Sequence, residues 1–259
     1  MPWSERQAVM LREMGIKLWQ PPQPEPGSAA PAAEAAIVET VELERVERSP
    51  PVVAAPVLGA VATLGWDELR EAVVACTACG LCKGRRQTVF GVGHRRAHWM
   101  IVGEAPGEQE DIQGEPFVGK SGQLLDNMLR ALGLGRLEPQ GVAPDAAAAR
   151  QVYIANTIKC RPPGNRNPEP DELARCEPFL IRQLQLVQPK IILAMGRFAV
   201  QSLLRTSDPI GRLRGRVHQY QGVPLIVTYH PAYLLRNPEE KAKAWDDLCL
   251  AAAAASAAR

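Results

Sequence analysis

From Thr63 onward the chain switches repeatedly between two patterns of apolar residues. Short continuous or alternating runs mark strands, and recurrence every three or four positions marks helices. The spacing predicts a helix over 66–75 and a short buried strand over 98–103 that ends in a glycine-rich turn. It predicts a second helix over 123–132, with Leu124, Leu125, Met128, Leu129 and Leu132 along one face. A strand follows over 152–158, a long helix over 170–187, and another apolar strand over 190–195. Strands over 217–220 and 223–229 flank Gly222, and a last helix starts near Pro238. Strands alternating with helices imply an α/β fold, with a mostly parallel sheet covered on both faces. Ligands of such folds sit at the carboxyl ends of the strands. The chemistry is therefore expected after Val102, Ile158 and Tyr229.

Before residue 63 that pattern is missing. Residues 20–62 hold eight prolines, six glutamates and two arginines, with no sustained period. Such a stretch cannot bury enough apolar surface to offset its ordering entropy, and reads as a disordered linker. Ahead of it, residues 1–19 place Met10 or Leu11, Met14 and Leu18 at helical spacing between Trp3 and Trp19. This short amphipathic helix has two readings: a tail docked on its own domain, or a tethered peptide that recruits a protein partner. Residues 63–259 are then the folded domain.

Composition changes the picture in one respect. A chain of 259 residues at 46% hydrophobic content has room for one full core and a tail. The net charge of +2 conceals a division, because residues 20–62 carry −4, residues 1–19 carry +1 and the remainder carries +5. The domain is thus basic enough to approach a polyanion. No apolar run approaches the roughly 20 residues a membrane helix needs. Glu5, Arg6, Arg12 and Glu13 leave no apolar stretch for a secretory signal. A cytoplasmic monomer is expected, and its six cysteines read as thiols or metal ligands.

Cys76 and Cys79 form a C-x2-C pair, and Cys160 and Cys176 form a second pair with fifteen residues between them, across a strand end and a helix. A C-x2-C turn presents two thiolates on one side, and a distant pair can complete a tetrahedral set. Spacing alone leaves zinc and an iron–sulfur cluster both open. Cys82 and Cys249 read as ordinary buried thiols.

Gly114 to Ser121 reads GEPFVGKS, which fits the G-x4-G-K-S phosphate-loop pattern. A phosphate loop leaves a strand directly, whereas Gly114 follows the acidic stretch Glu108-Gln109-Glu110-Asp111-Ile112-Gln113. The sequence therefore favours Lys120 and Ser121 meeting a nucleic-acid phosphate over a nucleotide hydrolase.

Three loops complete the pattern. One reads Gly103-Glu104-Ala105-Pro106-Gly107 and continues to Pro116-Phe117-Val118-Gly119. The second starts at Asn156 and runs through Lys159-Cys160-Arg161-Pro162-Pro163-Gly164-Asn165-Arg166. The third is Tyr229-His230-Pro231-Ala232-Tyr233-Leu234-Leu235-Arg236. In this order they resemble the family 4 uracil-DNA glycosylases, the iron–sulfur branch of that superfamily, over roughly residues 66–248. The resemblance implies a three-layer α/β/α glycosylase-like fold with a short, mostly parallel sheet. It also implies hydrolysis of the N-glycosidic bond of flipped-out deoxyuridine in DNA, which opens base-excision repair.

Residue by residue, the resemblance makes Phe117 the aromatic on which the uracil stacks, with Gly103 and Ala105 in the base pocket. Asn156 would read the base, its amide donating to O4 and accepting from N3–H, where cytosine presents the opposite pattern. His230 would stabilise charge on uracil O2 as the bond breaks. Many superfamily members carry an aspartate where this chain has Ala105, so Glu104, Glu110 and Asn165 are the candidates for orienting the attacking water. Glu110 has a second reading, excluding the thymine methyl. Cys76, Cys79, Cys160 and Cys176 would hold a [4Fe–4S] cluster. Lys159, Arg161 and Arg166 would meet backbone phosphates. Leu234, Leu235 and Arg236 would fill the vacated base stack; the other reading has the leucines start a packed helix. The rival reading from another class is a non-catalytic iron–sulfur module that binds nucleic acid.

Overall fold

The computed structural model describes residues 61–136 and 148–257. The expected N-terminal helix and all but the last two residues of the expected linker lie outside them. Of those two, Val61 is buried and packs with Leu69, Val73, Phe90 and Phe179.

Among the described residues, six strands form one sheet: β1 (Val92–Gly93), β2 (Trp99–Gly103), β3 (Val152–Asn156), β4 (Ile191–Met195), β5 (Val217–Tyr220) and β6 (Val223–Thr228). Their order is β1-β3-β2-β4-β6-β5. β3, β2, β4 and β6 run parallel, and β1 and β5 close the two edges antiparallel. The expected mostly parallel sheet is thus present. Every residue of β2, β3 and β4 is buried, as strands covered on both faces require.

The helices are α1 (Trp66–Val74), α2 (Glu108–Gln113), α3 (Lys120–Ala131), α4 (Pro170–Val187), α5 (Arg197–Leu204), α6 (Ile210–Leu213), α7 (Pro231–Arg236) and α8 (Lys241–Ala257). On one face, Met100, Val102, Tyr153, Ala155, Ile192, Ala194, Leu225 and Val227 pack with Leu180, Leu184 and Val187 of α4 and with Val200 and Leu203 of α5. The alternate residues Ile101, Ile154, Leu193 and Ile226 are fully buried, and the period of two directs them to the other face. α8 packs on β6 and β4, and α7 packs on α3.

Four short helices, α2, α5, α6 and α7, were not expected as elements. α3 starts three residues earlier than the apolar stripe suggests, because Gly119 supplies its extended N-cap. The predicted strands over 152–158 and 223–229 end earlier, at Asn156 and Thr228. In both cases the apolar run continues into a loop that carries chemistry.

The chain passes from β2 to β3 on one side, then crosses to β4 on the other. Such a reversal opens a crevice at the carboxyl end of the central strand. Gly103, the last residue of β2, stands opposite Asn156, the last of β3.

Candidate active site

The first loop is tied to the second by backbone bonds. Thr157 donates its N–H to Gly103 O (3.0 Å), and Ile158 donates its N–H to Glu104 O (3.3 Å). The Thr157 hydroxyl donates to the same Glu104 carbonyl at 2.6 Å. Residues 103–105 are therefore fixed relative to Asn156, which is only 2% exposed. Gly103 keeps this space open: a Cβ there would lie 2.4 Å from Asn156 Oδ1 and 2.7 Å from Phe117 Cζ.

Phe117 sits between α2 and α3 with φ +56°, a left-handed conformation that a bulky residue adopts only when its surroundings impose it. Two side chains impose it. Glu110 accepts the N–H of Val118 (3.2 Å) on one oxygen and that of Gly107 (3.1 Å) on the other. Arg136 donates to the carbonyls of Pro116 (2.8 Å) and Phe117 (2.9 Å) and pairs with Asp126. The segment before Gly114 is helix α2, and not the strand a phosphate loop needs.

His230 is the N-cap of α7, and its Nδ1 accepts the N–H of Ala232 at 3.1 Å. With Nδ1 accepting, the proton of a neutral ring belongs on Nε2. Burial, with a smaller push from Arg236, lowers its pKa to about 4, so the ring is neutral at physiological pH. It stacks on Phe117 with centroids 5.4 Å apart. Glu104 behaves in the opposite sense. Burial raises its pKa to about 7, against the pull of the Arg197 guanidinium.

Glu104, Ala105, Glu110, Phe117, Ser121, Asn156, Asn165, Arg166, Arg197, His230 and Arg236 all line one open cleft. Fold and burial thus gather the expected catalytic and base-binding residues at one place.

A separate, narrow pocket is lined by Cys76, Cys79, Cys82, Cys160 and Cys176. Arg85 donates to Cys160 Sγ at 3.0 Å, and the N–H of Lys159 donates to Cys176 Sγ at 3.3 Å. Burial pushes the thiols of Cys79 and Cys160 up, and that of Cys176 to about 12. Buried thiols beside sulfur-directed N–H donors suit a site whose ligands lose protons when metal binds. Among the described residues no three such side chains form a ready single-ion site. Cys82 lines the same pocket and is only half-buried, and Cys249 is exposed on α8, so neither is the ordinary buried thiol expected of it.

A model of the uracil DNA glycosylase superfamily matches residues 90–249. The chain is 39% identical over 181 residues to the type-4 uracil-DNA glycosylase of Archaeoglobus fulgidus, covering 67% of this chain and 84% of that one. It is 40% identical over 169 residues to the type-4 enzyme of Thermotoga maritima, with 64% and 81% covered. Identity falls to 30% over 195 residues with the type-5 uracil-DNA glycosylase of Pyrobaculum aerophilum, with 67% and 85% covered. The chain belongs to the uracil-DNA glycosylase superfamily.

In this superfamily member the residues expected to meet DNA divide. Lys120 is exposed at the start of α3, and Ser121, Arg166 and Arg236 reach the cleft. Arg166 also grips Glu172 with two bonds of 2.9 and 2.6 Å, and Arg161 donates to Asn165 Oδ1 at 2.7 Å. Two expectations are corrected. Leu234 is 1% exposed and belongs to the core, whereas Leu235 is 45% exposed; on a single helical turn only one of the pair can face outward. Lys159 is 1% exposed and bonded internally, out of reach of any phosphate. Two further arginines are absent from the expected set: Arg197, which lines the cleft, and Arg136, which holds the Phe117 turn. Arg197 follows β4, whose carboxyl end obeys the same rule as the other strands and would have revealed it. Arg136 carries no sequence signal, since its partners are two backbone carbonyls and Asp126, ten residues away on α3.

Proposed function

We propose that the chain is a type-4 uracil-DNA glycosylase that hydrolyses the N-glycosidic bond of deoxyuridine flipped out of DNA. The observation that carries this reading is the meeting of Phe117, Asn156 and a neutral, Nε2-protonated His230 in one cleft. Phe117 offers a face for the uracil ring, and Gly103 leaves room beside it. Asn156 presents its amide for O4 and N3–H. Rejecting cytosine then follows from the unpaired donors and acceptors it would bury.

As the bond breaks, charge gathers on uracil O2, and a donor placed there in advance stabilises it. Keeping His230 neutral leaves Nε2–H as that donor without the cost of a buried imidazolium. Glu104 is assigned to the water. With a pKa about 7 it is substantially ionised at neutral pH, able to orient the attacking oxygen and to favour the cationic sugar. Glu110 has both oxygens engaged by backbone N–H groups and is assigned to holding the Phe117 turn. Lys120, Ser121, Arg166, Arg197 and Arg236 supply positive charge and donors for the phosphates.

The residues of the cysteine pocket fit an iron–sulfur cluster, with Cys76, Cys79, Cys160 and Cys176 as ligands. These four residues come from the end of α1, the turn after it, the loop after β3 and α4, and would be tied together by such a group. The activity is assigned to residues 63–259, and residues 1–62 to a tethering arm.

The test is direct. Cluster-replete protein is incubated with an oligonucleotide containing one uracil, then treated with alkali. Scission at the uracil position is expected, and none with thymine or cytosine there. Binding without scission would instead establish the non-catalytic module.

A further inference from the structure

Lys159 is among the largest fully buried side chains of the domain, and the reaction described above gives it nothing to do. A buried ammonium is costly unless it is fully bonded, so its partners indicate what it is for. Nζ donates to the carbonyl of Asn156 at 2.9 Å and to Oε1 of Gln183 at 2.6 Å. Gln183 is itself held. Its amide nitrogen donates to Phe90 O (2.8 Å) and to the Tyr153 hydroxyl (3.0 Å).

The bond to Asn156 falls on the peptide unit that joins Asn156 to Thr157. The other side of that same unit, the N–H of Thr157, donates to Gly103 O at 3.0 Å. A peptide gripped by its carbonyl and its N–H cannot rotate, and its orientation sets ψ of Asn156 and hence the direction of the Asn156 side chain. A charge-assisted bond grips harder than a neutral one, and reading a base demands placement within a fraction of an ångström.

The other end of this arrangement is the cysteine pocket. Lys159 precedes Cys160, and its N–H donates to Cys176 Sγ. Cys176 and Gln183 lie two helical turns apart on α4, on one face. We propose that Lys159 is a positioning residue that fixes the base-reading amide of Asn156 through its carbonyl, and so conveys the rigidity of the cysteine pocket to the base pocket. The inference rests on the assignment of Asn156 as base reader.

The experiment is a double-mutant cycle on the cluster-replete full-length chain, read by single-turnover cleavage of uracil DNA with enzyme in excess. K159M is expected to slow cleavage tenfold or more while the brown absorption and the melting temperature stay within error. In the N156A background the same change is expected to cost less than twofold, because the residue through which Lys159 acts is gone. Equal factors in both backgrounds, or a K159M enzyme at native speed, would overturn the inference. Should K159M lose colour or precipitate, Q183L takes its place in the cycle. It removes the anchor of the ammonium and touches no cysteine, and the same non-additivity is required of it. N156A at native speed would overturn the base-reader assignment instead, so the two failures are distinct.

Discussion

Phe117 and His230 lie ring against ring, their planes inclined by 26° and their centroids 5.4 Å apart. One comes from the turn between α2 and α3, the other from the N-cap of α7, so their contact joins two of the three loops that follow the sheet. The stack also shuts water from one face of the imidazole. This helps to explain why protonation of His230 is so unfavourable.

That burial makes a prediction about pH. The His230 pKa is lowered from 6.5 to about 4 on folding, so below pH 6.5 the unfolded chain binds a proton that the folded chain refuses. The stability linked to this group is complete above pH 6.5 and is lost as pH falls towards 4. H230A should therefore melt closer to the native protein at pH 5 than at pH 7.5. Its cleavage rate should fall by roughly 10² to 10³, the usual cost of losing one such donor.

Glu104 predicts a limb in the activity profile. Its pKa is raised to about 7, so the ionised form, which orients water, accumulates as pH rises through neutrality. Single-turnover rates should climb with pH and level off above about 8. E104Q should be slower by roughly 10² and flat over the same range. A native limb retained in E104Q would assign the titration to another group.

The two leucines of α7 should behave as opposites. Truncating a core leucine costs roughly 2–5 kcal/mol, so L234A should melt several degrees lower. L235A should melt as the native protein does, within roughly 0.5 kcal/mol. It should lose cleavage of duplex DNA more than of single strands, where there is no stack to refill. Thermal melts and paired substrates check both.

Cys160 is buried, and its sulfur accepts from Arg85. C160A should give colourless protein with reduced solubility and a lower melting temperature. C249A, on the exposed side of α8, should keep colour and activity. A brown, stable C160A protein would refute the ligand set.

Much of this was legible along the chain, for identifiable reasons. β2, β3 and β4 are continuous apolar runs, and such runs have few other uses in a chain of this kind. The loops after β2, β3 and β6 stand out because ligands gather at carboxyl ends; Arg197 opens α5 directly after β4 and Gly196, with no flanking motif to mark it. Lys159 and Leu234 were misread for a different reason. A lysine in a basic loop and a leucine in a Leu-Leu pair look identical whether they face inward or outward. The direction is decided by partners distant in sequence, Gln183 for Lys159 and the packing of α7 on α3 for Leu234. Helix α2, with its acidic first turn and its glycine stop at Gly114, carried signals that its polar composition obscured.

Gly103 and Gly122 bracket Phe117 from two directions. A Cβ on Gly103 would meet the ring, and one on Gly122 would come within 1.7 Å of the Phe117 carbonyl oxygen. The site is therefore most vulnerable to mutation at positions that perform no chemistry. A single methyl at either glycine would unseat the aromatic while leaving Asn156, Glu104 and His230 intact in sequence. Divergent copies of such an enzyme would lose the reaction by that route with every catalytic group still present.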